Sequence, residues 1–227
     1  VADGAVGEPP LATFLLHVPV LADPTAEVPA WWADANKGGG WLGAHGSQVI
    51  DQVRATLGEF EGVSASLPLV ADRAMTAEDG FIVHFRLRSG VVGVLQGTSG
   101  DFGPPIIVTR IVGSRGTAWI EGLGDEVRVA DRSGARRLPV PDDLRTEPPG
   151  APPADALHTD YERMIAHGLD LGPYIRLAET FRDRILGRPV DAHPRAATFA
   201  DGVAGMVVLD AVRRSAAELT WVPVPAG

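Results

Sequence analysis

With 227 residues, 45% of them hydrophobic, the chain can bury a real core as one large domain or two small ones. A net charge of −9, with Lys37 the only lysine, excludes a general nucleic-acid binder, which needs clustered cations. The absence of cysteine excludes a disulfide framework, a thiolate metal site and a cysteine nucleophile.

No apolar run reaches membrane-spanning length, and no basic stretch followed by a hydrophobic one opens the chain. The expected location is therefore cytoplasmic. The start at Val1, a few residues before a strand-like segment, reads as that of a fragment.

Gly7-Glu8-Pro9-Pro10 is a turn signal, and residues 11–21 form an apolar run predicted as a strand. Pro24 and Pro29 mark a loop. Trp31-Trp32 then lead through Gly38-Gly39-Gly40 into a predicted helix over 42–57. Its apolar positions Leu42, Val49, Val53 and Leu57 recur at helical spacing, and Gly58 stands where a helix ends. Three consecutive glycines are costly to order, so they point to unusual backbone angles or a close approach of the main chain. The first turn of this helix is expected to present free N–H groups beside His45 and Gln48.

Strands are predicted over 63–70, 81–87 and 91–98. Phe81, Val83, Phe85 and Leu87 alternate with Ile82, His84, Arg86 and Arg88 at period two. Residues 106–112 and 117–121 flank Gly113-Ser114-Arg115-Gly116 as a hairpin, and 126–130 and 136–140 flank a second. On β-strand alternation, Ile107, Ile111 and Trp119 are expected opposite to Ile106, Val108 and Ile120. Residues 141–156 carry five prolines and read as a connection or lid. Helices are predicted over 158–167, 173–186 and from Thr198 to about 219, with a last short strand over 220–224. The fold class is α+β: one domain spanning residues 1–227, with a large, mostly antiparallel mixed sheet, helices on one face and the other face open for oligomerisation.

Several of these segments, taken in order, carry a resemblance. They are Gly4-Ala5-Val6-Gly7-Glu8, Gly38-Gly39-Gly40-Trp41-Leu42, Gly46-Ser47-Gln48-Val49-Ile50-Asp51, Thr76-Ala77-Glu78-Asp79, and Asp201-Gly202-Val203 through Val208-Leu209-Asp210-Ala211 with Ser215-Ala216. The set resembles the C-terminal domain of the glucose–fructose oxidoreductase / inositol dehydrogenase / rhizopine-catabolism (Gfo/Idh/MocA) family. The resemblance implies hydride transfer between NAD or NADP and a sugar, polyol or related hydroxy compound. It also implies an N-terminal Rossmann domain for the cofactor. No Gly-x-Gly-x-x-Gly follows the first strand here, so the cofactor is expected in the full-length protein, and none is expected for this chain alone, which in isolation is expected to be inactive.

The family motif places an Asp and a His four residues apart on the glycine-entered helix, followed by another Asp. Laid on this sequence, those positions are Ala44, Gln48 and Asp51. Gln48 hydrogen-bonds but exchanges no proton at useful pH. The catalytic candidates are therefore Gln48, at the family His position, and His45, three residues earlier on the helix. His45 is either a substitute base or a packed histidine. The substrate-binding candidates are Trp32, Lys37, Gly39, Gly40, Trp41 and Asp51. For each, a structural role stands beside the functional one: core aromatics, a solvated lysine, a helix-surface carboxylate. No metal is expected, because the histidines lack ligand spacing. The expected partners are a small-molecule substrate, the Rossmann domain and a second copy of the chain in a dimer, with no nucleic acid or membrane. The alternative is a non-catalytic binding or assembly module of the same fold.

Overall fold

A computed structural model describes residues 4–25, 27–122, 126–139, 171–190 and 195–226. The chain divides into two compact units, one of Val1–Leu138 with Phe199–Gly227 and one of Pro139–Thr198.

The first unit is built on one open sheet. Its strands are β1 (Leu11–His17), β2 (Phe60–Ser66), β3 (Gly80–Leu87), β4 (Val92–Thr98), β5 (Ile106–Val112), β6 (Thr117–Glu121), β7 (Val127–Asp131), β8 (Gly134–Leu138) and β9 (Val222–Pro223). The nine strands lie in the order β8-β7-β6-β5-β1-β4-β3-β2-β9. β1 is central, parallel to β4 and antiparallel to β5. The other pairings are antiparallel, as consecutive hairpins dictate. The α+β class and the mostly antiparallel open sheet follow the sequence expectation.

Helix α1 (Ser47–Leu57) and helix α3 (Phe199–Glu218) pack on one face. That face presents Ala12, Phe14, Val63, Phe81, Val83, Phe85 and Leu95, all buried against Ile50 and Val53 of α1 and Val208, Leu209 and Val212 of α3. Each buried Val, Leu, Ile or Phe among them contributes on the order of 1.5–3 kcal/mol. Two polar ties fix the helices. The Arg54 guanidinium donates two hydrogen bonds to the Glu59 carboxylate and a third, of 2.8 Å, to the main-chain oxygen of Asp201, joining α1 to α3. The wholly buried Ser215 accepts from the Ala65 N–H of β2 at 2.9 Å and donates to the Thr220 oxygen at 2.6 Å.

Some boundaries differ from the sequence expectation. β1 stops at His17, because Val20 and Leu21 turn away to bond Val18 and Ser99. β2 begins at Phe60 and ends at Ser66, before Pro68, whose nitrogen has no hydrogen to give a ladder. In β6 the expected phase is inverted. Trp119 lies opposite Arg110 and shares the open face with Ile106 and Val108, whereas Ile120, opposite Thr109, shares the helix face with Ile107 and Ile111. The hairpin closes with Val112 opposite Thr117, and that register decides the faces where apolar residues occupy both phases.

In the second unit, α2 (Leu171–Ile185) carries Tyr174, Leu177, Phe181 and Ile185 as an exposed apolar stripe. The connection over 141–156 and the helix expected over 158–167 lie outside the described residues. Among the described residues, no helix is long and apolar enough to cross a membrane.

Candidate functional site

The glycine entry forms a tight corner at the start of α1. A short 3-10 turn, Ala35–Lys37, is capped by Asp34, whose carboxylate accepts from the Asn36 N–H at 2.9 Å. Gly38 closes this turn with φ +72°. The chain then makes a π-helical turn, Leu42–Gly46, before settling into α1. Such turns recur at functional sites, where they re-aim side chains.

The glycines are there for two separate reasons. A Cβ on Gly39 would overlap the main-chain oxygens of Trp31 and Trp32. Gly40 has φ +97°, and a Cβ there would overlap the Glu78 carboxylate.

Most of the expected free N–H groups are not free, and this corrects the sequence expectation. The Gly39 N–H donates to Asp34, Gly40 to Trp32, Trp41 to the Glu78 main-chain oxygen at 2.9 Å, and Ala44 to Gly40. The Leu42 N–H donates to Glu78 Oε1 at 3.2 Å. The chain fills its own helix start with a carboxylate. Burial is the main cause that pushes the Glu78 carboxyl above the ordinary glutamate range, opposed by hydrogen bonds to backbone N–H groups and by the charge of Arg213.

Three rings cluster at this corner, Trp32 and Trp41 stacked and His45 tilted against both. Trp41 and His45 lie 4.1 Å apart between ring centroids, Trp32 and Trp41 6.1 Å, and Trp32 and His45 6.5 Å. Trp41 is buried, and its Nε1 donates to the Leu16 oxygen at 3.4 Å. Trp32 and His45 are half-buried. The Trp32 Nε1 is buried without a hydrogen-bond partner among the described residues.

The structure thus brings Trp32, Gly39, Gly40, Trp41 and His45 together. The remaining candidates lie further along the surface. Gln48 is exposed, and its Nε2 donates back to the Ala44 oxygen at 3.4 Å. Lys37 is exposed, with its ammonium 3.7 Å from the Asp34 carboxylate. Asp51 faces Arg54 at 3.7 Å, one turn along α1. Among the described residues, no cluster of three or more His, Asp or Glu is placed to hold a metal ion.

Sequence reasoning missed Glu78 and Arg213 as parts of this corner. Glu78 stands 36 positions from Leu42, and only its place in the Thr-Ala-Glu-Asp segment hinted at it. A separate cavity of about 450 Å3 lies at the other end of α1, between Arg54, Phe60, Arg88, Asp201, Val208 and Val224. Its principal cation, Arg54, is held by Glu59 and Asp201, so the cavity offers a ligand little unspent charge.

The GFO/IDH/MocA C-terminal domain model matches residues 1–119. None of the curated proteins matches the chain in sequence. Among solved structures, levoglucosan dehydrogenase in complex with NADH and levoglucosan is 25% identical, with a TM-score of 0.71 over 100% of this chain and 61% of its own. WlbA dehydrogenase from Bordetella pertussis, in complex with NADH and UDP-GlcNAcA, is 20% identical, with a TM-score of 0.68 over 100% of this chain and 59% of its own. An oxidoreductase from Agrobacterium radiobacter, in complex with NAD+, L-tartaric acid and magnesium, is 16% identical, with a TM-score of 0.71 over 98% of this chain and 59% of its own. The latter two show likeness of fold alone, and the chain spans about three fifths of the length of these relatives. On the strength of the family model, this chain belongs to the GFO/IDH/MocA family and carries its C-terminal domain.

Proposed function

We propose that the chain is the substrate-side domain of an NAD(P)-dependent oxidoreductase acting on a sugar, polyol or related hydroxy compound. One observation supports this above the others. The Trp32–Trp41–His45 ring cluster stands at the start of the glycine-entered helix, where the family resemblance puts the reacting groups. An aromatic wall suits the C–H face of a sugar ring.

The oxidation takes a hydride from a carbinol carbon and a proton from its hydroxyl, leaving a carbonyl. A nicotinamide bound by a neighbouring domain would supply the hydride acceptor. The described residues hold no dinucleotide-binding glycine motif, so this reading assigns the cofactor to a Rossmann domain beside this one. What this chain supplies is a wall, hydrogen bonds and a proton acceptor. His45 is the acceptor in this reading, because Gln48 cannot exchange a proton. Gln48 is the hydroxyl-binding amide once its weak bond to Ala44 is given up. Asp51 and Lys37 flank the opening and tune its charge.

The open sheet face carries exposed Leu11, Ile82, Val94 and Ile106, and we assign it to a second copy of the chain. The cytoplasm is the proposed location.

A second reading is a binding or assembly module without turnover. It is favoured by Ala44 at the family Asp position and by the Gln48 amide bonded into its own helix. The experiment that separates the two is hydride transfer by the protein carrying this chain together with its nucleotide-binding domain, across a panel of sugars and polyols, with His45→Ala alongside. The oxidoreductase reading expects turnover that falls about 100-fold or more in His45→Ala. Turnover unchanged in His45→Ala removes His45 as the base, and no turnover across the panel favours the module.

A further inference from the structure

At the start of a helix, unpaired N–H groups and the helix dipole favour an anion. Here that place is taken from within the chain. Glu78 receives the Leu42 N–H on its carboxylate and the Trp41 N–H on its main-chain oxygen. The fit is two-sided. Gly40 leaves, at φ +97°, the space that the carboxylate fills, and any side chain there would displace it. The segment carrying Glu78 is itself anchored. Asp79 is wholly buried, and its two carboxylate oxygens accept the Val70 and Ala71 N–H groups at 2.6 Å each. Its main-chain oxygen accepts from the Ser99 N–H at 2.8 Å. A rigid base therefore presents Glu78 to a glycine turn that has little stiffness of its own.

We propose that Glu78 is a positioning residue of the site: its carboxylate pins the start of the helix and so fixes the orientation of Trp41 and of the His45 ring against it. The charged groups around it are few. Arg213 of α3 supplies a favourable charge, Asp79 an unfavourable one, and the turn from Gly38 to Leu42 contributes none. Burial makes the carboxyl take up a proton at higher pH than an exposed glutamate. Protonation removes the charge from the bond to Leu42, and charged acceptors make roughly twice the bond that neutral ones do. This role is independent of the substrate reading, since it concerns what holds the corner rather than what enters it.

The test is amide NMR on the 227-residue chain, without substrate or cofactor, so that it stands or falls apart from the oxidoreductase reading. The Leu42 amide is expected to titrate with a midpoint above the exposed-glutamate range of about 4.3. That titration disappears in Glu78→Gln, while the Val70 and Ala71 amides keep their shifts. In Glu78→Ala, hydrogen exchange at Gly40, Trp41, Leu42 and Ala44 is expected to speed up at least 10-fold relative to Val63 and Val83 in the sheet. Glu78→Gln, whose amide oxygen still accepts, recovers most of that protection and carries the test should the alanine variant unfold. A Leu42 amide that stays flat with pH overturns the proposal. So does a Glu78→Ala variant whose corner exchanges no faster than its sheet.

Discussion

Alanine substitution along the glycine corner separates three costs that the structure assigns to three adjacent residues. Gly38 has φ +72° with nothing within 4 Å of a built Cβ, so Gly38→Ala carries only the left-handed backbone penalty. That is about 1–2 kcal/mol, offset by a few tenths to 1 kcal/mol through the less flexible unfolded chain, leaving about 1 kcal/mol. Gly40→Ala adds displacement of the Glu78 carboxylate from Leu42. A hydrogen bond to a charged group is worth about 1.5–3 kcal/mol, so the total is about 3 kcal/mol. Gly39→Ala meets main-chain carbonyls instead, and these cannot rotate away. Rebuilding the turn puts at risk the Gly39 and Gly40 N–H bonds at about 1 kcal/mol each, with overpacking of about 1–3 kcal/mol on top.

The assay is urea denaturation followed by tryptophan fluorescence. All five tryptophans lie in the unit that holds the corner, so the signal reports that unit. Thermal midpoints move about 2–4 °C per kcal/mol for domains of 150–250 residues. The cycle that isolates the cause is Gly40→Ala in a Glu78→Ala background. There it should cost only about 1 kcal/mol, a coupling of about 2 kcal/mol. A Gly40→Ala cost equal to that of Gly38→Ala, or one unchanged when Glu78 is removed, refutes the assignment.

Asp79→Ala leaves the Val70 and Ala71 N–H groups without an acceptor and should destabilise by about 2–4 kcal/mol in urea titration; a loss below 1 kcal/mol would contradict the clamp. Glu78 carries a pH signature. Because its folded-state pKa is raised, its contribution to stability is fully present below the unfolded value of about 4.3 and is lost as pH rises through the folded one. The stability of Glu78→Gln relative to the parent chain should therefore rise between about pH 4 and pH 8, and a difference that is flat or falls with pH sinks the assignment. Sedimentation should show self-association at micromolar concentration, abolished by Ile82→Glu with Ile106→Glu on the open face; a parent chain that sediments as a monomer removes that face as an interface.

Much of the fold was legible because local periodicity and burial agree. Phe81, Val83, Phe85 and Leu87 alternate in sequence, and they are the buried residues of β3. The apolar spacing of 42–57 marked a helix, and Gly58 does end it, its N–H bonding back to the Arg54 oxygen at 3.2 Å. Where both phases of a strand are apolar, periodicity has no vote. Trp119 and Ile120 were assigned to the wrong faces, since the hairpin register rather than composition orients them. The parallel pairing of β1 with β4 is set by long-range packing and leaves no local mark. The site was legible as a place more than as a mechanism. Three glycines announced an unusual turn, but not that its N–H groups are already spent. The partner that spends two of them, Glu78, is distant in sequence and looks like an ordinary turn residue.

The central claim is that the aromatic corner, rather than the cavity at the other end of α1, faces the substrate. A crystal structure of the protein carrying this chain with its nucleotide-binding domain, NAD(P)H and a polyol tests it most directly. The polyol is expected against Trp32, with a hydroxyl within about 3 Å of His45 or Gln48. A polyol bound instead between Arg54, Arg88 and Val224, with the corner untouched, would contradict it.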